Sequence, residues 1–146
     1  MKKLTAIVGG VAVLSLCFVA SGADENKGAV KLWAAVSVNE PVFRNGWTKN
    51  LQLNFAVIND GKASVDPKTS SSRLFINGKE LKEWNFIVGN GPRSMNYNAL
   101  PPGDSTGFGY AMGEYFKTPG KYTVRWEGEN FKAPGITFRV LPKSKK

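Results

Sequence analysis

Two stretches near the C-terminus decide the fold: PGKYTVRW at residues 119–126 and ITFRVLP at residues 136–142. In each stretch a large apolar residue stands at every second position, with Lys, Arg or Thr between them. This alternation is typical of a β-strand that buries one face and exposes the other. A Pro-Gly turn precedes each strand, so we expect the two strands to form an antiparallel hairpin.

The same period of two extends toward the N-terminus. Apolar residues alternate with polar or small ones over residues 30–38, 51–58, 94–99 and 108–112. Clusters of Gly, Pro and Asn separate these runs, as expected for turns between strands. No segment requires a helix.

Two shorter segments have recognisable turn chemistry. Asn77-Gly78 follows the apolar residues Leu74 and Ile76, and this dipeptide is a strong signal for a two-residue hairpin. Residues 88–93 contain Gly89, Gly91 and Pro92. We predict a loop there because these residues disfavour regular structure.

Together these patterns predict an all-β fold. About seven or eight short strands with frequent turns favour an immunoglobulin-like antiparallel β-sandwich, preceded by a signal peptide. An up-and-down barrel is the alternative. The inward positions of the strands predict one core between two sheets, made of Leu53, Phe55, Val57, Leu74, Ile76, Tyr122, Val124, Trp126, Ile136, Phe138 and Val140.

The final hairpin resembles the last two strands of bacterial exported immunoglobulin-like and fibronectin type III-like domains. Within it, Gly120-x-Tyr122-x-Val124 is similar to the tyrosine corner, with Val124 where antibody domains have a cysteine. The resemblance therefore implies the sandwich architecture without the antibody disulfide. It implies little about function, because this architecture supports many unrelated activities.

The N-terminal residues predict export. Lys2 and Lys3 precede an apolar run over residues 4–20, and small residues and then acidic ones follow it. This order is typical of a secretory signal, which we place at residues 1–23, with cleavage after Gly22 as the alternative. We therefore expect a secreted or periplasmic protein.

Two other interpretations of this segment are less favoured. An apolar run of 17 residues is shorter than the roughly 20 that a membrane span needs. Lipidation at Cys17 is disfavoured because Leu16 stands where a lipobox has Gly, Ala or Ser. The predicted organisation is a signal peptide (1–23), a polar linker (24–29), an immunoglobulin-like domain (30–142) and a basic tail (143–146).

The charge balance points to an acidic partner. The whole chain has a formal net charge of +9. Without Lys2 and Lys3, 18 Lys and Arg stand against 11 Asp and Glu, a net charge of +7. A basic exported protein is biased toward anionic surfaces such as acidic glycans, cell-wall polymers or lipid headgroups. Nucleic acid is a poor partner for an exported chain, and we expect no membrane span after signal cleavage.

The residue types present argue against catalysis. The chain has no His, and its single Cys lies in the predicted signal. A catalytic triad and a His or thiolate metal site both need residues that the mature chain lacks. The pairs Glu127 with Glu129 and Glu80 with Glu83 lie in polar, turn-like stretches, where solvated carboxylates are expected. We predict no enzyme activity, no cofactor and no metal.

Binding is the better class of function. The chain has more aromatic residues than its alternating core positions require, and their alternative role is to close the ends of the sandwich. We expect a non-catalytic binding or structural module that recognises an envelope protein or an anionic polysaccharide. The alternative is a protease-inhibitor-like or accessory subunit that presents the loop at residues 88–95. The candidate binding residues are Arg125, Arg139, Lys121, Trp47, Trp84, Asn90, Arg93 and Tyr97.

Strand parity places three of these candidates on one surface. If Tyr122, Val124 and Trp126 point inward, Lys121 and Arg125 point outward, and Arg139 does so on the neighbouring strand. Like charges on adjacent strands destabilise a sheet unless a negative group neutralises them. Either a carboxylate such as Glu127 or Glu83 does this, or the basic side chains are available to an external anion.

Overall fold

The computed structural model describes residues 30–91 and 93–144. Eight strands form two packed sheets, one in the order β1-β3-β6 and the other in the order β2-β8-β7-β4-β5. The elements are β1 (Leu32–Val38), β2 (Val42–Arg44), β3 (Gln52–Asn59), β4 (Arg73–Ile76), β5 (Lys79–Glu80), α1 (Trp84–Gly89), β6 (Ser105–Ala111), β7 (Gly120–Glu127) and β8 (Ile136–Leu141). The predicted all-β sandwich is confirmed. The predicted signal peptide, the linker and Cys17 lie outside the described residues.

The C-terminal hairpin has the predicted register. Strands β7 and β8 are antiparallel, with Tyr122 opposite Phe138 and Val124 opposite Ile136. The Tyr122 hydroxyl donates a hydrogen bond of 2.7 Å to the carbonyl oxygen of Thr118. A bond from the tyrosine back to the preceding backbone defines a tyrosine corner, so this expectation is also confirmed.

The Asn77-Gly78 hairpin is confirmed as well. Asn77 has φ of 50° and Gly78 has φ of 80°, and a type I′ turn requires positive φ at both central residues. The turn joins β4 to the two-residue strand β5. The side-chain oxygen of Asn77 also accepts a 2.8 Å hydrogen bond from the backbone N–H of Thr123, which fastens the turn to β7.

The predicted core is present with its predicted orientation. All of the predicted residues are buried except Ile76, Tyr122 and Ile136, which are half-buried and pack against the others. Phe55 of β3 connects the two layers. Its ring lies 4.8 Å from that of Trp84 and 5.1 Å from that of Trp126, between ring centroids.

A single hydroxyl satisfies both of these buried indoles. The Nε1–H groups of Trp84 and Trp126 each donate a 2.9 Å hydrogen bond to Ser72 Oγ. Ser72 Oγ in turn donates a 2.5 Å hydrogen bond to the carbonyl oxygen of Thr69. A hydroxyl has one donor and two acceptor sites, so all three are used. Ser72 is fully buried, and it ties α1 to β7 inside the sandwich.

Two local predictions, the loop at residues 88–93 and the strand at residues 94–99, were wrong. Residues 84–89 form the helix α1, whose buried residues Trp84 and Val88 are spaced four apart and therefore share one helix face. A helix of six residues is too short for this spacing to stand out in sequence. Residues 94–99 are not a strand, since Tyr97 N bonds Ser94 O and Ala99 N bonds Asn96 O in consecutive turns.

Sequence analysis did not identify β2, which lies between the strands predicted over residues 30–38 and 51–58. Residues 42–44 pair in parallel with β8, with Phe43 opposite Val140. Phe43 is buried, whereas Val42 and Arg44 are exposed. The chain therefore leaves the three-stranded sheet after β1 and adds an edge strand to the five-stranded sheet.

Replacing Ser72 with Ala should destabilise the fold. The change removes the acceptor of two buried indole N–H groups, and each buried donor left unpaired costs about 1–3 kcal/mol. We expect the free energy of unfolding in urea to fall by about 2–4 kcal/mol. Ser70, exposed in the same segment, supplies the control, and Ser70→Ala should change stability by less than about 0.5 kcal/mol. Equal effects of the two substitutions would contradict this role of Ser72.

Candidate functional site

Two basic residues lie side by side on the outer face of the five-stranded sheet. Lys121 of β7 is directly opposite Arg139 of β8 in the strand register, and both are exposed. Among the described residues, neither has a carboxylate within the 4.0 Å of a salt bridge. Like charges directly opposite each other are destabilising, so this pair contributes nothing to the stability of the sheet.

The positive surface continues across β2 to the end of the sandwich. Val42 pairs with Arg139 and Arg44 pairs with Leu141, so Arg44 is exposed beside the same sheet edge. Lys143 follows β8 directly. We call the five residues Arg44, Trp47, Lys121, Arg139 and Lys143 the basic corner. Arg44 and Lys143 also form no salt bridge with the described residues.

Trp47 is exposed at this end of the molecule. It lines a groove of about 250 Å³ with Glu40, Val42 and Arg44. It also lines a second groove, of about 330 Å³, with Arg44 and Lys143. Its side chain is 66% exposed, so an aromatic surface lies between basic groups.

The backbone holds this arrangement in place. Asn45 N donates a 2.8 Å hydrogen bond to Leu141 O, and Trp47 N donates a 2.9 Å bond to Arg44 O. Gly46 between them has φ of 92°, a conformation that favours glycine. The Lys143 side chain lies over Gly46, with Cε only 3.1 Å from the place that a Cβ would take. A larger residue at 46 would displace that lysine.

Arg125 shares the outer face but differs from the basic corner. Its Nε lies 3.7 Å from Oε2 of Glu127, and its guanidinium lies 4.6 Å from the ring centroid of Phe75. Glu127 also receives a 2.8 Å hydrogen bond from Arg73. Of the two carboxylates considered from sequence, Glu127 is therefore the one that neutralises Arg125, and Arg139 is left without such a partner among the described residues.

Two of the candidate aromatic residues are not accessible. Trp84 is 1% exposed because its indole is held by Ser72, and Tyr97 is 6% exposed. Both belong to the interior, and their proposed role as surface contacts was wrong. Exposed positions are instead taken by Trp33 and Trp47.

Asn90 and Arg93 stabilise their own segment. Asn90 Nδ2 donates a 2.8 Å hydrogen bond to Phe86 O at the end of α1. Arg93 Nη2 donates a 3.0 Å bond to Gly89 O, and its guanidinium lies 5.0 Å from the Tyr97 ring centroid. Beyond them, Met95 is fully exposed.

Sequence reasoning missed Arg44 and Lys143 as members of the site. Arg44 lies on a strand of three residues, too short for an alternation to be recognised. We expected Lys143 to lie in the basic tail. Its position beside Arg44 follows from the parallel pairing of β2 with β8. Neither feature has a signal in the local sequence.

Two further features are absent from residues 30–91 and 93–144. No group of three or more acidic, His or Cys side chains converges as metal ligands would. No helix in these ranges combines the length and apolar character that a membrane crossing needs.

The architecture defines the class of protein, an all-β immunoglobulin-like sandwich. No protein-family model and no curated protein matches the sequence. Among solved structures, the chain is similar to the CARDB domain of a Pyrococcus furiosus protein in a crystal structure with di-metal ions. The TM-score is 0.47 and the identity 17%, covering 78% of this chain and 96% of that one. A solution NMR structure of that domain gives a TM-score of 0.45 and 18% identity, over 75% of this chain and 94% of that one.

Proposed function

We propose that this protein is a non-catalytic binding module of the cell envelope that recognises an anionic polymer, such as an acidic polysaccharide, through the basic corner. One observation carries the proposal: none of the four cations of the corner has a carboxylate partner among the described residues. Two of them, Arg44 and Lys143, line a groove together with the exposed Trp47.

Elsewhere on the domain, Lys31, Lys68 and Arg73 are paired with carboxylates. Lys79 and Lys82 form no salt bridge within the described residues, but Glu80 and Glu83 line the same groove as these lysines.

The spacing of the cations suits a ligand with repeated charges. Neighbouring strands lie about 4.8 Å apart, which sets the separation of the Lys121 and Arg139 backbones. Arg44 lies two residues beyond Val42, about 7 Å further along the edge strand. Charges fixed on strands at such intervals favour a polyanion over a single small anion. The Trp47 ring adds an apolar surface on which a sugar ring can pack.

The remaining carboxylates support a non-catalytic role. Glu127 pairs with Arg73 and Arg125, and Glu129 pairs with Lys68 at 2.9 Å. One of the two carboxylate pairs considered from sequence, Glu127 with Glu129, is thus engaged with surface cations.

Neutralising the centre of the basic corner should weaken polyanion binding. For the double variant Lys121→Gln with Arg139→Gln, we expect affinity for polygalacturonate to fall about tenfold, because two of the four cations are lost. The dependence of affinity on salt should also become shallower. Binding is measured by calorimetry at several salt concentrations.

The matched control is Lys79→Gln with Lys82→Gln. Both lysines are exposed and lie outside the basic corner, so the net charge changes by the same amount. This variant should bind almost as the unmodified domain does. Equal losses from both double variants would show that net charge alone attracts the polymer, and would contradict a defined site.

A second candidate function is protease inhibition or an accessory role through residues 88–95. Met95 is fully exposed, and Arg93 beside it is fixed to Gly89 and Tyr97. An apolar side chain presented next to a fixed residue suits insertion into a partner's pocket. The domain should then inhibit a member of a panel of serine and cysteine proteases, and Met95→Glu should abolish the inhibition. Absence of inhibition across the panel would remove this candidate.

A further inference from the structure

The outer face of the three-stranded sheet is unlike the rest of the surface. Its outward side chains are small or uncharged over most of its length, and strand register places them in rows across β1, β3 and β6. We call this surface the flat face. Its rows are Trp33, Ile58 and Ser105; Ala35, Ala56 and Gly107; Ser37, Asn54 and Gly109; and Gln52 with Ala111.

At one end of the flat face, Trp33 is exposed and yet fixed. Its Nε1–H donates a 3.0 Å hydrogen bond to Oδ2 of Asp60, and Lys31 forms an ion pair with the same carboxylate. Both Lys31 and Trp33 donate a hydrogen bond to the Asp60 carboxylate and lower its pKa, and the bond from Lys31 has the larger effect. The Trp33 side chain remains 60% exposed, and its cross-strand neighbour Ile58 is 46% exposed. An exposed aromatic ring that is held in one orientation loses little freedom when a ligand packs on it.

The middle of the flat face, which we call its floor, carries only small side chains. Ala35, Ala56 and Gly107 follow the tryptophan row, so nothing larger than a methyl group projects there. A Cβ on Gly107 would lie 3.1 Å from the carbonyl oxygen of Phe55, so the backbones themselves are close. A planar ligand can therefore extend from the indole along the strands without meeting a side chain.

At the other end, two amide groups converge. The side chains of Gln52 and Asn54 both lie over Gly109, with Nε2 and Oδ1 at 2.5 and 2.6 Å from the place of its absent Cβ. Within the described residues, neither side-chain amide forms a hydrogen bond to another protein group. Amides offer donors and acceptors together, which suits hydroxyl groups that also offer both.

We propose that the flat face binds a neutral, ribbon-shaped glycan, with a sugar ring stacked on Trp33 and hydroxyl groups bonded to Gln52 and Asn54. From Ile58 to Gln52 the face extends about 20 Å along the strand, which accommodates several sugar rings. The ligand is neutral because the charged groups that contact the indole in the described part of the chain, Lys31 and Asp60, neutralise each other. This site is separate from the basic corner and does not depend on it.

A second copy of the chain is a poorer occupant of the flat face. The domain carries a net positive charge, which disfavours self-association. The face also presents two open amides and small side chains rather than a large apolar surface, whereas interfaces between identical chains are more apolar. A glycan can hydrogen-bond to the amides through its hydroxyl groups and can pack its flat rings on the small side chains of the floor.

The test uses cellohexaose and chitohexaose as probes, with tryptophan fluorescence and calorimetry as readouts. Trp33→Ala should weaken binding of the preferred hexasaccharide about tenfold or more, as expected for a central aromatic anchor. Phe86→Ala is the matched control, since Phe86 is an exposed aromatic residue, at 75%, that lies outside both proposed sites, and it should leave this binding unchanged. Trp33→Tyr should restore part of the affinity, because it keeps an aromatic ring.

Two further variants examine the floor and the amides. Ala35→Arg places a long side chain on the flat floor and should block binding, while Gln52→Ala with Asn54→Ala should weaken it. Circular dichroism and urea unfolding confirm that each variant is folded. Unlike polygalacturonate binding, hexasaccharide binding should be almost independent of salt, so the failure of one proposal is distinguishable from the failure of the other.

Three results would overturn the inference. These are an absence of binding to either hexasaccharide, equal losses for Trp33→Ala and Phe86→Ala, and a dimer in sedimentation that Trp33→Ala dissociates. The last result would assign the flat face to a second copy of the chain.

Discussion

The hydroxyl of Ser72 is the point on which the interior of the sandwich depends. Two tryptophans bury their rings beside it, and a buried indole N–H needs an acceptor. One serine oxygen accepts from both Trp84 and Trp126 and donates to Thr69, so no hydrogen-bonding capacity is left over. Phe55 of the opposite sheet then packs against both rings. The hydrogen bonds fix α1 against the five-stranded sheet, and the packing of Phe55 joins that sheet to the three-stranded one.

The two outer faces of the sandwich take no part in this interior packing, and they differ in charge and in side-chain size. The five-stranded sheet carries cations on β2, β7 and β8 that form no salt bridge with the described residues, and Trp47 lies beside Arg44 and Lys143. The three-stranded sheet carries a fixed tryptophan, a low floor and open amides, with little charge. We propose that these surfaces bind an anionic and a neutral polymer respectively. Most residues of both sites lie on strands, whose backbone hydrogen bonds hold the side chains in place before a ligand arrives.

Sequence predicted the parts of this molecule that obey a local rule. Strand alternation predicted the buried residues of β3, β7 and β8, and the Asn77-Gly78 turn followed from its need for positive φ. The burial of Trp84 could not be predicted, because it depends on a hydroxyl twelve residues away. Only part of the candidate site was predicted, because its other members also come together through contacts between distant parts of the chain. Lys121 and Arg139 followed from parity, whereas Arg44 and Lys143 join them through a parallel pairing that no local pattern encodes.

The central claim is that the anionic polymer binds at the basic corner. The most direct measurement is a titration of the isotope-labelled domain with polygalacturonate oligomers, followed by NMR chemical shifts at low and high salt. We predict that the largest shifts occur at the backbone amides of Lys121 and Arg139 and at the Trp47 indole, and that they fade as salt is added. If the largest shifts instead occurred around Arg125 or Trp33, with the basic corner unaffected, the claim would be contradicted.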